Sequence, residues 1–115
     1  MLPFNNRLTK RKDFAPVQRR GQFFAHENVM LKMAANGKEE SRIGFIVGMA
    51  FSKLAVKRNQ TKRQLREIIR GRLKEIKKGL DIVITVRKRP DERVDAKKLA
   101  ADIEIVLKKS GLIKI

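Results

Sequence analysis

The stretch from Ala55 to Lys78, AVKRNQTKRQLREIIRGRLKEIKK, constrains this chain more than any other. Leu54, Leu65, Ile68, Ile69 and Ile76 recur at steps of three, four or seven and mark one apolar side of a long helix. At roughly 100° per residue, Asn59, Arg63, Arg66, Arg70 and Lys77 fall within about 60° of one another. Gln60, Gln64, Glu67, Gly71 and Glu75 occupy a third sector. An ordinary amphipathic helix has an apolar stripe and a polar remainder; this one adds a cationic face. Arg58, Lys62, Arg66 and Arg70 stand four apart, a spacing at which like charges repel by a few tenths of a kcal/mol per pair. Only Glu67 and Glu75 lie in the stretch to relieve that repulsion. Helix stability would favour more Glu. The pattern therefore predicts a polyanion site, because several guanidinium groups on one face can each take a phosphate through paired hydrogen bonds. The plainer alternative is a solvated charged face.

The rest of the chain points the same way. It has 115 residues, enough for one compact domain with a modest core. Lys and Arg number 29 against 12 Asp and Glu, a formal net charge of +17 that indicates nucleic acid or another anionic surface. An apolar share of 42% separates it from a disordered basic tail. There is no Cys, so disulfides and thiolate metal sites are excluded. No apolar run approaches the ~20 residues that span a bilayer. The opening MLPFNNRLTKRKDF lacks an apolar signal core, and a cytoplasmic protein without membrane contact is expected.

Taken in order, residues 1–12 read as a basic arm carrying Arg7, Lys10, Arg11 and Lys12. Asp13 reads as the cap of a short helix over Phe14–Arg20, with Pro16 in its first turn and Gly21 ending it. Gln22 to Ala35 reads as one strand, and Asn36-Gly37 as a hairpin turn. Arg42 to Gly48 reads as the returning strand, placed centrally by its near-continuous apolar run. Gly79 closes the basic helix over 55–78, and Leu80 to Val86 is a further strand, apolar on both sides. A charged loop over 87–93 leads to a last helix, capped by Asp95, with Leu99, Ile103, Val106 and Leu107 as its buried stripe and Gly111 as its stop. This order predicts a small mixed sheet with helices packed on one face.

A catalytic set is hard to find. His26 is the only His and has no second His or Cys to join it as a metal ligand set. Glu39-Glu40 and Asp91-Glu92 show neither metal nor acid–base spacing. Ser41, Ser52 and Ser110 have no neighbouring base. Of the six Phe, Phe23 and Phe24 read as core, whereas Phe14, set between Arg11, Lys12 and Arg19, is the candidate for stacking an unpaired base. No catalytic residue and no protein-held metal are expected.

Ser52 to Arg66, SKLAVKRNQTKRQLR, resembles the signature of the bacterial ribonuclease P protein subunit family. Ala55, Arg58, Asn59, Lys62, Arg63 and Arg66 match it. Asn6-Arg7-Leu8, Lys12-Asp13-Phe14, Arg20-Gly21, Arg42-Ile43-Gly44 and LDIVITVRK fall in the family's order. Gln60-Thr61, Met49-Ala50 and Gln18 depart from its commoner residues. The resemblance implies a single-domain α+β sandwich: a small mixed four-stranded sheet, three helices and a left-handed βαβ crossover around the signature helix. It implies a protein that joins a catalytic RNA and supports removal of the 5′ leader from precursor tRNA. Magnesium would be held mainly by the RNA, with no organic cofactor and no obligate protein partner. The RNA-binding residues would be Arg58, Asn59, Lys62, Arg63, Arg66 and Arg70. A cleft between the first helix and the sheet would guide the leader, with Phe14, Arg11 and Lys12 as its contacts. The competing expectations are a structured-RNA-binding protein of ribosomal or chaperone type, a DNA-binding helix in a major groove, and a self-contained nuclease.

Overall fold

The computed structural model describes residues 3–48, 51–87 and 96–114. Helix α1 is Arg11–Arg20, strand β1 Gln22–His26, β2 Val29–Ala35, β3 Arg42–Val47, helix α2 Ala55–Arg72, β4 Leu80–Val86 and α3 Ala96–Lys109. Single 3-10 turns occupy Phe4–Asn6 and Leu73–Glu75.

One mixed sheet runs β1-β2-β4-β3. β1, β2 and β4 pair antiparallel in turn, and β3 pairs parallel with β4, so β3–α2–β4 is a βαβ crossover. The free edge of β3 is met by the N-terminal segment: Arg7 bridges Ile43, and the Leu8 amide donates to the Ile43 carbonyl at 3.0 Å.

Strand side chains alternate between faces, and both faces of this sheet are covered. Ile82, Ile84 and Val86 of β4, with Leu31 and Ile43, bury against Leu65 and Ile69 of α2 and Leu99, Ile103, Val106 and Leu107 of α3. Val83 points the other way and packs with Leu8 and with Val17 of α1, flanked by Phe14, Ala34 and Ile46. The expected one-sided packing is thus corrected: α1 covers one face, and α2 with α3 the other. The cause lies in β4, whose apolar run needs shelter on both sides.

Several local expectations are corrected too. Residues 22–35 form a hairpin rather than one strand, turning at Glu27-Asn28 with Glu27 at φ 53°. That left-handed conformation is uncommon for Glu, and no Gly or Pro announces the turn. Gly37, at φ 68°, does turn the chain, but β2 and β3 do not pair, because β4 inserts between them. Their separation puts β3 at an edge and β4 in the centre. Helix α1 begins at Arg11, so Asp13 lies inside its first turn and Pro16 in its body, while Lys10 holds the cap position. Helix α2 stops at Arg72 instead of running to residue 78; Ile76 is extended, and Gly79 stands at φ 82°. The buried stripe of α3 is as expected. The Asp95 cap and all but Arg87 of the 87–93 loop lie outside the described residues.

Candidate nucleic-acid interface

Helix α2 has seven basic residues, Lys57, Arg58, Lys62, Arg63, Arg66, Arg70 and Arg72, against the single acid Glu67. Its inner side is made by Thr61, Leu65 and Ile69 at steps of four. Thr61 fits an apolar position because its hydroxyl donates back to the Lys57 carbonyl at 3.1 Å. Leu54, read from the sequence as part of the apolar side, is 59% exposed, since the helix has not yet reached the sheet there.

The cations of α2 do different things. Arg72 is turned towards α3 and is ion-paired with Glu75 and Glu104, tying the two helices together. Arg58 is half-buried and donates through Nη1 to the Ser52 carbonyl at 2.8 Å, fixing the turn that enters the helix. Asn59, Arg63 and Arg70 are exposed. The Arg70 Nε lies 3.6 Å from the Glu67 carboxylate, a pair more than half in water and worth little to stability. Lys62 and Arg66 are half-buried and lean towards β3.

There the basic helix meets α1. Lys62, Arg66, Arg7, Thr9, Phe14 and Phe45 line a groove of about 290 Å³ along the β3 edge. Phe14 is half-buried, and its ring occupies the space above Gly44, where a Cβ would overlap it. The groove joins one aromatic ring to two cations from a separate helix. Arg11 and Lys12 are exposed in the first turn of α1 and are not among the residues lining it.

A second cleft, of about 230 Å³, opens where Gln18 of α1 faces the other end of the sheet, with Phe23, Met30, Lys32, Thr85 and Arg87 around it. Phe24 packs on the core as expected, but Phe23 is 56% exposed. Adjacent strand residues face opposite ways, so the Phe23-Phe24 pair could not both enter one core. That alternation was the available signal.

The acid–base candidates are not assembled into a site. His26 Nε2 is 3.6 Å from Asp102 on α3. Glu39 and Glu40 are exposed beside Lys38 and Arg42, and Asp91 and Glu92 lie outside the described residues. Among the described residues no group of three His, Cys, Asp or Glu is placed to hold a metal ion. Nor, among them, is any helix long and apolar enough to cross a membrane. Arg42 instead serves the fold. Its Nε and Nη2 donate to both oxygens of buried Asp81 at 2.8 and 2.7 Å, and that hydrogen bonding, together with the charge of Asp81, raises the guanidinium pKa.

The whole chain can be set beside known proteins. The family model described as Ribonuclease P matches residues 2–111. A "Ribonuclease P protein component" of Pseudanabaena sp. is 46% identical over 87 residues, covering 75% of each chain. The solved RNase P protein of Thermotoga maritima superimposes with a TM-score of 0.78 at 35% identity, covering 90% of this chain and 96% of that one. The Staphylococcus aureus RNase P protein gives a TM-score of 0.84 at 24% identity, covering 95% and 98%, and so speaks for the shared fold. A basic helix crossing between parallel strands, an aromatic groove beside it and a family match over almost the entire length agree: this chain belongs to the bacterial ribonuclease P protein component family, the protein subunit of that endoribonuclease.

Proposed function

We propose that this subunit acts as one RNA-binding domain with two connected faces. The exposed side of α2, with Asn59, Arg63 and Arg70 and with Arg58 at its entry, docks on the ribonuclease P catalytic RNA. The groove holding Phe14, Lys62 and Arg66 receives the single-stranded 5′ leader of precursor tRNA, with Arg11 and Lys12 contacting phosphates at its outer end. The holoenzyme then hydrolyses the phosphodiester that joins leader to tRNA. The cytoplasm is where such precursors would be met.

The observation that carries this reading is the convergence of Phe14 with Lys62 and Arg66 in one groove. Bases stack on aromatic rings, and cations take the phosphates that follow. One helix can thus hold catalytic RNA on its outer side and present substrate on its inner edge. The described residues do not form a metal ligand set, so magnesium is assigned mainly to the RNA, and no step here runs through it. The protein's own contribution is electrostatic and positional. It lowers repulsion between two polyanions, which raises precursor affinity and reduces the magnesium needed.

Reconstitution with a bacterial ribonuclease P RNA at low magnesium tests the reading. The chain should rescue cleavage at the mature 5′ end, which a ribosomal-type RNA binder would not. Phe14→Ala should weaken precursor binding by about 1–3 kcal/mol and leave mature tRNA binding unchanged. Equal effects on both ligands, with a sharply lowered Tm, would make Phe14 a packing residue and remove the leader assignment.

A further inference from the structure

The sheet register sets up a relationship between two aromatic rings. Phe23 is opposite Lys32, Lys32 opposite Val83, and Val83 opposite Gly44. These four residues form one transverse row on the face that α1 covers, and the Phe14 ring lies over its Gly44 end. Phe14 and Phe23 therefore mark opposite ends of one row. Three strand spacings separate the ends, roughly 14 Å. A four-stranded sheet presenting two aromatics in this way accommodates about two or three stacked bases.

Phe23 is 56% exposed on the edge strand β1, where a core role cannot explain it. Its surroundings are those of a nucleotide site. Met30 offers an apolar, polarizable floor. Gln18 and Thr85 bring an amide and a hydroxyl, and Lys32 and Arg87 bring two cations, with no carboxylate in the lining. The Lys32 ammonium donates to the Gln18 carbonyl at 2.7 Å, which ties the wall of the cleft to α1 and leaves two of its three N–H donors for a phosphate. The cleft, at about 230 Å³, is smaller than the roughly 300–1,000 Å³ of ordinary small-molecule sites. One base stacked on one ring face suits it better.

We infer that Phe23 is the platform of a second nucleotide subsite for single-stranded RNA, with Arg87 and Lys32 on its phosphate and Gln18 and Thr85 at the base edge. The inference rests on the reading above, in which the leader crosses the Phe14 groove. It adds that a longer leader continues across the sheet to β1, so the protein senses leader length as well as leader presence.

The test uses the reconstituted holoenzyme and a series of precursor tRNAs whose leaders lengthen by one nucleotide at a time. Wild-type affinity should rise in two increments, the first removed by Phe14→Ala and the second by Phe23→Ala. The second loss should be about tenfold, confined to leaders long enough to reach β1. Phe23→Tyr should retain the gain. An abasic nucleotide at the responsive leader position should abolish the difference between wild type and Phe23→Ala. The inference is overturned if Phe23→Ala binds long leaders as tightly as wild type, or if it weakens all leaders and mature tRNA alike. It falls by itself when the first increment remains and the second does not depend on Phe23. If wild type shows no leader-dependent gain at all, the functional reading falls with it.

Discussion

The ring of Phe14 on α1 fills the volume that a side chain at residue 44 of β3 would need. Glycine at 44 is therefore a condition for the groove, since it lets the ring lie flat against the sheet beside Lys62 and Arg66. Gly44→Ala should displace the ring and destabilise the fold by about 1–3 kcal/mol, the usual range for overpacking. Thermal melts of Gly44→Ala, Phe14→Ala and the double variant give the coupling between them. The double variant should be more stable than the sum of the single effects predicts. Recovery should stay incomplete, because the Leu8 carbonyl lies 2.9 Å from the same Cβ position. Strict additivity would mean that the two residues do not share this space.

The elements that follow from local pattern were legible in the sequence; those that follow from pairing between distant segments were not. The 3.6-residue periodicity of α3 identified Leu99, Ile103, Val106 and Leu107, all buried. The two-sided apolar run of β4 was equally plain. No local signal says that β4 enters between β2 and β3, so Asn36-Gly37 looked like a hairpin. Glu27 adopts φ 53° because the His26 and Val29 pairing requires a two-residue turn, against the preference of Glu. That missed turn also hid Phe23. A single strand through residues 22–35 gives no means of deciding which Phe faces water. The sector analysis of α2 defined a cationic face, but only the packing of the N-terminal segment on β3 turns Lys62 and Arg66 towards Phe14.

The outer face of α2 should show itself in salt dependence. Affinity for the catalytic RNA should fall steeply as salt rises, because neutralising phosphates releases counterions. Arg63→Ala combined with Arg66→Ala should flatten the slope of log affinity against log salt by about one unit for each phosphate left without its cation. Stability should change by less than about 0.5 kcal/mol, as for surface substitutions and with like-charge repulsion relieved. An unchanged slope at unchanged affinity would make this a merely solvated face.

Arg42 should behave as a structural residue. Its guanidinium holds both oxygens of buried Asp81, and Asn36 Nδ2 adds a third donor at 3.0 Å. Arg42→Ala leaves a buried carboxylate with its principal partner gone, a loss of about 3–5 kcal/mol for such pairs. The surviving Asn36 bond places the expected value at the lower end. Arg42→Lys should recover only part, since an ammonium cannot reproduce the planar fork. The folded pKa of Arg42 is raised, so its contribution is complete below the unfolded value and is lost only in strong alkali. Urea titration across neutral pH should therefore show a constant deficit for Arg42→Ala relative to wild type.

The last prediction concerns where the chemistry is done. A general acid or base on the protein would make itself known by a loss of roughly a hundredfold or more in turnover when removed. His26, Glu39, Glu40, Asp91 and Glu92 are the groups outside the basic helix to replace in turn, with saturating magnesium and variants shown to be folded. Glu39 and Glu40 are exposed next to Lys38 and Arg42, which suits a solvated ion cluster better than a carboxyl tuned for proton transfer. His26 faces Asp102 at the junction of β1 and α3, on the outer strand of the sheet and away from the Phe14 groove. Each replacement should change turnover only modestly, although His26→Ala should lower Tm by loosening that junction. The protein without RNA should give no specific cleavage at the mature 5′ end. Raising magnesium should partly replace the protein in the holoenzyme assay, because both screen the same phosphates. A single carboxylate whose removal abolishes turnover, with RNA and precursor binding intact, would place the active site on the protein and overturn the division of labour proposed here.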